Sequence, residues 1–139
     1  MKSQFQTFNK YLNKNLTASM EDYIEMIYRM SLIDTYIRSQ ELASELNVSP
    51  PSTSKMIQKL AKLGYLKYQK YGIIILEDKG KKLGKKLLER HKTIEELLKI
   101  IGIPEKNILI ETEKIEHTLS SNSICYIKKY IENVNKDKY

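Results

Sequence analysis

With 139 residues, 41% hydrophobic and 29% charged, the chain is long enough for one domain or two small units around a packed core. It has no run of about 18 apolar residues to cross a membrane, and its polar start, MKSQFQTFNKYLNKN, lacks the apolar centre of a secretory signal, so a cytoplasmic protein is expected. The net charge of +7 is concentrated between residues 50 and 92, where twelve basic and three acidic side chains leave +9 while each flank carries −1, a distribution that attracts a polyanion, nucleic acid first and an anionic membrane second.

Residues 1–15 show no sustained period and are read as an N-terminal arm. A first helix should begin near Thr17–Ser19, where hydroxyl caps precede Glu21 and Asp22, with an apolar stripe of Tyr23, Ile24, Ile27, Tyr28 and Leu32. A second helix is expected over Ser39–Leu46. Ser49 then suits an N-cap and Pro50 the first position of a third helix, whose inner side is Met56, Ile57, Leu60 and Leu63 and whose stop is Gly64. Tyr65–Lys70 and Ile73–Leu76, rich in β-branched and aromatic residues, read as two strands joined near Tyr71-Gly72. Asp78 caps a fourth helix reaching about Ile101, and Gly102-Ile-Pro104 ends it. A fifth helix opens at Pro104 or Glu105. Further helices are expected through Glu111–Leu119 and Ile124–Val134, with Asn135–Tyr139 frayed. Cys125, the only cysteine, excludes an internal disulfide and is expected as a small buried hydrophobe on an apolar helix face.

Helix, short turn, helix and β-hairpin make a winged helix-turn-helix, whose second helix enters the DNA major groove. The side of that helix opposite its apolar stripe carries Pro51, Ser52, Lys55, Gln58, Lys59 and Lys62. Ser49 and Pro50 lie at its N-terminus, where free N–H groups suit a phosphate, and Lys70 and Tyr71 lie at the hairpin tip. The fold class expected is therefore mainly α: a winged helix-turn-helix at 16–77 with a small two-stranded wing, then a helical domain at 78–139.

Acidic residues and the two histidines recur at helical spacing. Asp22 and Glu25 are three apart, Glu113, Glu116 and His117 stand at i, i+3 and i+4, and His91 precedes Glu95 by one turn. Donors stacked this way can converge on a cation, as in helical E-x-x-H dinuclear sites. Spacing alone leaves a second reading open, in which they are solvated helix residues paired with neighbours.

These stretches resemble the manganese transport regulators of the diphtheria toxin repressor superfamily. The matching segments are SMEDYIEMIY at 19–28, SPPSTSKMIQKL at 49–60, YLKYQKYG at 65–72, DKGKKLGKKLLERH at 78–91 and IEHTLSSNSI at 115–124. The resemblance implies metal ligands at Asp22, Glu25, His91, Glu113, Glu116 and His117. It also implies two Mn²⁺ ions per subunit, shared through Glu113 and Glu116, a helical dimerisation domain after the wing, and a homodimer on a pseudo-palindromic DNA operator. Fe²⁺, Co²⁺, Cd²⁺ or Zn²⁺ are expected to bind in vitro. Thr118 stands where relatives often carry a second histidine, and Gly72 where they carry a basic wing residue.

The function expected is a metal-dependent repressor of metal-uptake genes, not an enzyme, with no small-molecule substrate and no membrane partner. Two rivals remain at this stage: a metal-independent winged-helix regulator, and a dinuclear hydrolase in which carboxylates and histidines activate water.

Overall fold

A computed structural model describes residues 16–137; the expected arm at 1–15 lies outside them, as do residues 138 and 139. The described chain divides into two compact units after Leu87. That division falls inside a helix, because Leu83 and Leu87 on its first turns pack into the core of unit 1.

Unit 1 begins with α1 (Ala18–Ser31). Thr17 caps it: its Oγ1 accepts the Met20 N–H at 3.1 Å, and its own N–H points at the Met20 sulfur at 3.5 Å. Met20, Tyr23, Ile24 and Ile27 form the buried stripe. Leu32, expected on that stripe, is 63% exposed, because the helix stops at Ser31 and Leu32 falls on the turn beyond it. Strand β1 (Ile37–Arg38) leads into α2 (Ser39–Leu46), which Asn47 ends in the left-handed conformation.

Helix α3 (Pro50–Lys62) follows the expected punctuation, with Ser49 as N-cap and Pro50 in the first turn. Its buried side is Thr53, Ile57 and Leu60, with Met56 partly covered. Leu63 was expected inside but is 41% exposed; it is the C-cap residue, past the last regular turn. There Gly64 N–H bonds to Ala61 and Tyr65 N–H to Leu60, the paired bonds of a Schellman stop.

Strands β2 (Leu66–Tyr68) and β3 (Ile73–Leu76) pair antiparallel with Leu66 opposite Leu76. The sheet has three strands, in the order β1-β3-β2, where the sequence predicted two. The third is only two residues long, too short to display an alternating pattern, and is held by pairing Ile37 with Ile74. Between β2 and β3, Lys70–Gly72 form a 3₁₀ turn with Tyr71 at φ 66° and Gly72 at φ 74°. A Cβ on Gly72 would stand 2.9 Å from Ser39 Oγ, so both sterics and φ select glycine there. A side chain at this position would have to adopt a positive φ and displace the Ser39 hydroxyl.

Helix α4 (Asp78–Ile100) starts hard against the wing: a Cβ on Gly80 would run into the backbone carbonyl of Tyr65. Lys79 completes this contact, donating to Leu63 O at 3.0 Å while its ammonium lies 4.3 Å from the Tyr65 ring centroid.

Unit 2 takes the rest of α4, then α5 (Glu105–Ile115) and α6 (Ser121–Asp137). Ile94, Leu98, Ile108 and Ile124 form its core, with Ile103, Ile115, Leu119 and Ile127 packed around it. The two helices expected near 105 and over Glu111–Leu119 are one helix that stops at Ile115, since nothing between Glu105 and Ile115 breaks the backbone ladder. Residues 135–137, expected to fray, remain in α6. Cys125, expected buried, is exposed: the covered face of α6 is Ile124, Ile127 and Ile131, and Cys125 lies one residue off that face.

Gly80→Ala should lower unfolding stability by about 1–3 kcal/mol, because the added methyl meets backbone rather than a movable side chain. Urea denaturation of the metal-free protein reads this as a fall in midpoint at unchanged slope.

Candidate metal centre and DNA-reading helix

In unit 2, α4 and the end of α5 bring four candidate donors together. His91 is 4% exposed, which removes its reading as a surface histidine. Its Nδ1 lies 2.6 Å from Glu116 Oε2, and its Nε2 contacts Glu95 one turn along α4. Glu116, only 3% exposed, also lies 3.5 Å through Oε1 from His117 Nε2. The guanidinium of Arg90, which can only donate, stands 3.3 Å from His117 Nδ1. Glu116 is the C-cap of α5, with its N–H bonded to Thr112 O, and His117 follows on the turn beyond. Thr112, wholly buried one turn earlier, has a hydroxyl without a hydrogen-bond partner among the described residues.

Glu113 belongs to the same predicted trio but is exposed. The buried line of α5 runs through Ile108, Thr112 and Glu116, and Glu113 lies to one side of it. In unit 1, Asp22 and Glu25 sit on α1 as predicted, Asp22 exposed and Glu25 buried, and Glu25 Oε2 accepts from Arg29 at 2.6 Å. Sequence reasoning noted the His91–Glu95 spacing but not that Glu95 would face a buried ring. Only the burial of His91 raises it above an ordinary i,i+4 pair.

The donors of unit 2 fit a divalent ion. Glu116 meets His91 Nδ1 at 2.6 Å through one carboxylate oxygen and His117 Nε2 at 3.5 Å through the other, and there is no thiolate among these donors. Burial of Glu116 makes a positive partner favourable, since a carboxylate removed from water needs compensation.

On α3, Ser49, Pro50, Pro51, Ser52, Lys55, Gln58, Lys59 and Lys62 are all exposed, opposite Ile57 and Leu60. Ser49 Oγ accepts the Ser52 N–H at 3.3 Å and bonds the Ser52 hydroxyl at 2.8 Å. Lys70 and Tyr71 project from the wing turn, Tyr71 88% exposed.

Two family descriptions match this chain, one after the other. "Iron dependent repressor, N-terminal DNA binding domain" covers residues 15–74, and "Iron dependent repressor, metal binding and dimerisation domain" covers residues 77–139. The chain belongs to the iron dependent repressor family. Among curated relatives it is 46% identical over 121 residues to the HTH-type transcriptional regulator MntR of Bacillus subtilis (87% of this chain, 85% of the relative). It is 51% identical over 118 residues to MntR of Listeria welshimeri (84% and 82%). Among solved structures, the manganese regulator SloR aligns with TM-score 0.71 at 30% identity, and the metal-dependent transcriptional regulator MtsR with 0.74 at 31%. Each alignment covers 81% of this chain and 53% of the other, so the chain spans about half the length of those solved neighbours. Its relatives are transcriptional regulators rather than enzymes, and this chain is a DNA-binding regulator of the same family.

Ser49→Ala removes the α3 cap and should cost about 1 kcal/mol of stability. Thermal unfolding would show it as a lowered midpoint, with Ser49→Asp restoring most of the loss.

Proposed function

We propose that this protein is a manganese-responsive repressor of metal-uptake genes, acting in the cytoplasm as a homodimer on a pseudo-palindromic operator. The observation that carries the reading is the buried Glu116 carboxylate flanked by His91 and His117 in a domain of a metal-binding family. The description of the solved neighbour SloR as a manganese regulator supports manganese as the ion.

The ligand set proposed is Asp22, Glu25, His91, Glu113, Glu116 and His117, for two ions per subunit. Carboxylates and imidazoles without a thiolate suit Mn²⁺, a weak binder in the general affinity order that favours oxygen-rich sites. When bound, the ions supply positive charge that offsets the clustered carboxylates. Asp22 and Glu25 lie on the helix before the DNA-reading pair, and the other four lie after the wing. Ion binding would favour one spacing of the two recognition helices of a dimer, about 34 Å for successive major grooves. That preference is a population shift, set by the difference in ion affinity between two arrangements.

On the DNA side, Lys55, Lys59 and Lys62 would neutralise phosphates while Ser52 and Gln58 reach base edges, Ser49–Pro51 present the helix N-terminus, and Lys70 and Tyr71 meet the flanking backbone. Exposed Leu109, Ile110, Tyr126 and Tyr130 in unit 2 offer the apolar surface that self-association covers.

The test uses duplexes selected from a random library by the Mn²⁺-loaded protein, with affinity read by fluorescence anisotropy against free Mn²⁺. Chelated protein should bind weakly and added Mn²⁺ should strengthen binding by at least about tenfold, the range of typical allosteric coupling. Tight binding by chelated protein, unchanged by Mn²⁺, defeats the reading. His91→Ala or Glu113→Ala should abolish the activation; for exposed Glu113 the chelated protein should keep its stability to within about 0.5 kcal/mol. Lys59→Ala should reduce the salt dependence of binding by about one unit of slope.

A further inference from the structure

His91 is held from both sides of its ring. Nδ1 faces Glu116 at 2.6 Å, from the end of α5, and Nε2 contacts Glu95 on α4 itself. The two carboxylates are not alike: the Glu116 side chain is 3% exposed and the Glu95 side chain 30%. The Glu95 contact is an i,i+4 pair within one helix, so it needs no tertiary partner to form. The lone-pair directions of the two imidazole nitrogens diverge, and one ion cannot be ligated by both. Whichever nitrogen carries the hydrogen decides which one is left to coordinate.

We propose that Glu95 is a positioning residue of the metal centre: it accepts the Nε2–H of His91 and leaves Nδ1, the nitrogen turned to Glu116, as the ligating atom. The proposal rests on the metal-centre reading above and adds to it a residue outside the six proposed ligands. Glu95 acts only through His91. A carboxylate behind a ligating histidine fixes the tautomer and ring plane and raises the basicity of the ligating nitrogen.

The experiment compares the full-length wild type with Glu95→Gln and Glu95→Leu, by Mn²⁺ calorimetry and by long-range ¹H–¹⁵N spectra of the chelated protein, with His117 as internal control. The glutamine oxygen accepts the same Nε2–H, so Glu95→Gln should keep Mn²⁺ affinity within about threefold, whereas Glu95→Leu should weaken it about 10–100-fold. In the spectra, Nε2 of His91 should carry hydrogen in wild type and Glu95→Gln, and in only part of the population in Glu95→Leu, with His117 unchanged. Equal losses in the two variants would make Glu95 a ligand and overturn the proposal, as would wild-type affinity in Glu95→Leu. If wild type bound no Mn²⁺, the metal-centre reading would fail on its own. The hydrogen on His91 Nε2 of the chelated protein would still decide the positioning role, and an Nε2 without hydrogen in wild type would end it.

Discussion

Removing the Glu116 carboxylate from water costs several kcal/mol unless something charged or hydrogen-bonding replaces the lost hydration. In unit 2 that replacement is a pair of imidazoles, His91 at 2.6 Å and His117 at 3.5 Å. Much of the local architecture follows from this requirement. Helix α4 must carry His91 on its inner side beside Ile94, and α5 must end where Glu116 can turn inward. The buried hydroxyl of Thr112, one turn earlier, marks the same region as more polar than a simple helical core demands. An ion bound there, as proposed, would add positive charge beside an already buried carboxylate and offset part of its desolvation cost.

The DNA-reading helix is governed by a different constraint, rigidity of placement. Helix α3 is capped at one end by Ser49 and stopped at the other by the Gly64 turn, and its inner face is fixed by Ile57 and Leu60, both fully buried. Its lysines and polar side chains are thereby presented on one exposed side without needing contacts of their own. The wing is pinned just as closely, through Gly72 against Ser39 and through Gly80 and Lys79 against Tyr65 and Leu63. The cost of this close packing is the loss of a side chain at Gly72, which leaves Lys70 and Tyr71 to represent the wing at the surface.

The +9 block of residues 50–92 spans three structural settings. Part of it belongs to the exposed side of α3, and part to the wing, with Lys67 on β2 and Lys70 at the turn. The remainder lies on α4, where Lys79 is spent on a structural contact and Arg90 stands beside His117. Charge density therefore marks a neighbourhood for a polyanion, and individual roles within it depend on which face of which helix each residue occupies.

Local punctuation and periodicity were legible in the chain from Thr17 to Gly64, whereas Asp78, expected as a cap, is the first residue of α4 itself. Thr17, Ser49-Pro50 and Gly64 mark helix ends by short-range bonds, and the apolar spacing on α1 and α3 marks their inner faces. The candidate ligands were legible by their spacing and by family resemblance. Burial and long-range pairing were not, because they depend on residues distant in sequence. Strand β1 exists only through its pairing with Ile73 and Ile74, and Leu32, Leu63 and Cys125 fall outside the cores although their hydrophobicity pointed inward. The same reason separates Glu113 from Glu116: equal in chemistry and one turn apart, they differ because α5 packs along Ile108 and Thr112, which carries Glu116 inward beside His91 and leaves Glu113 in water.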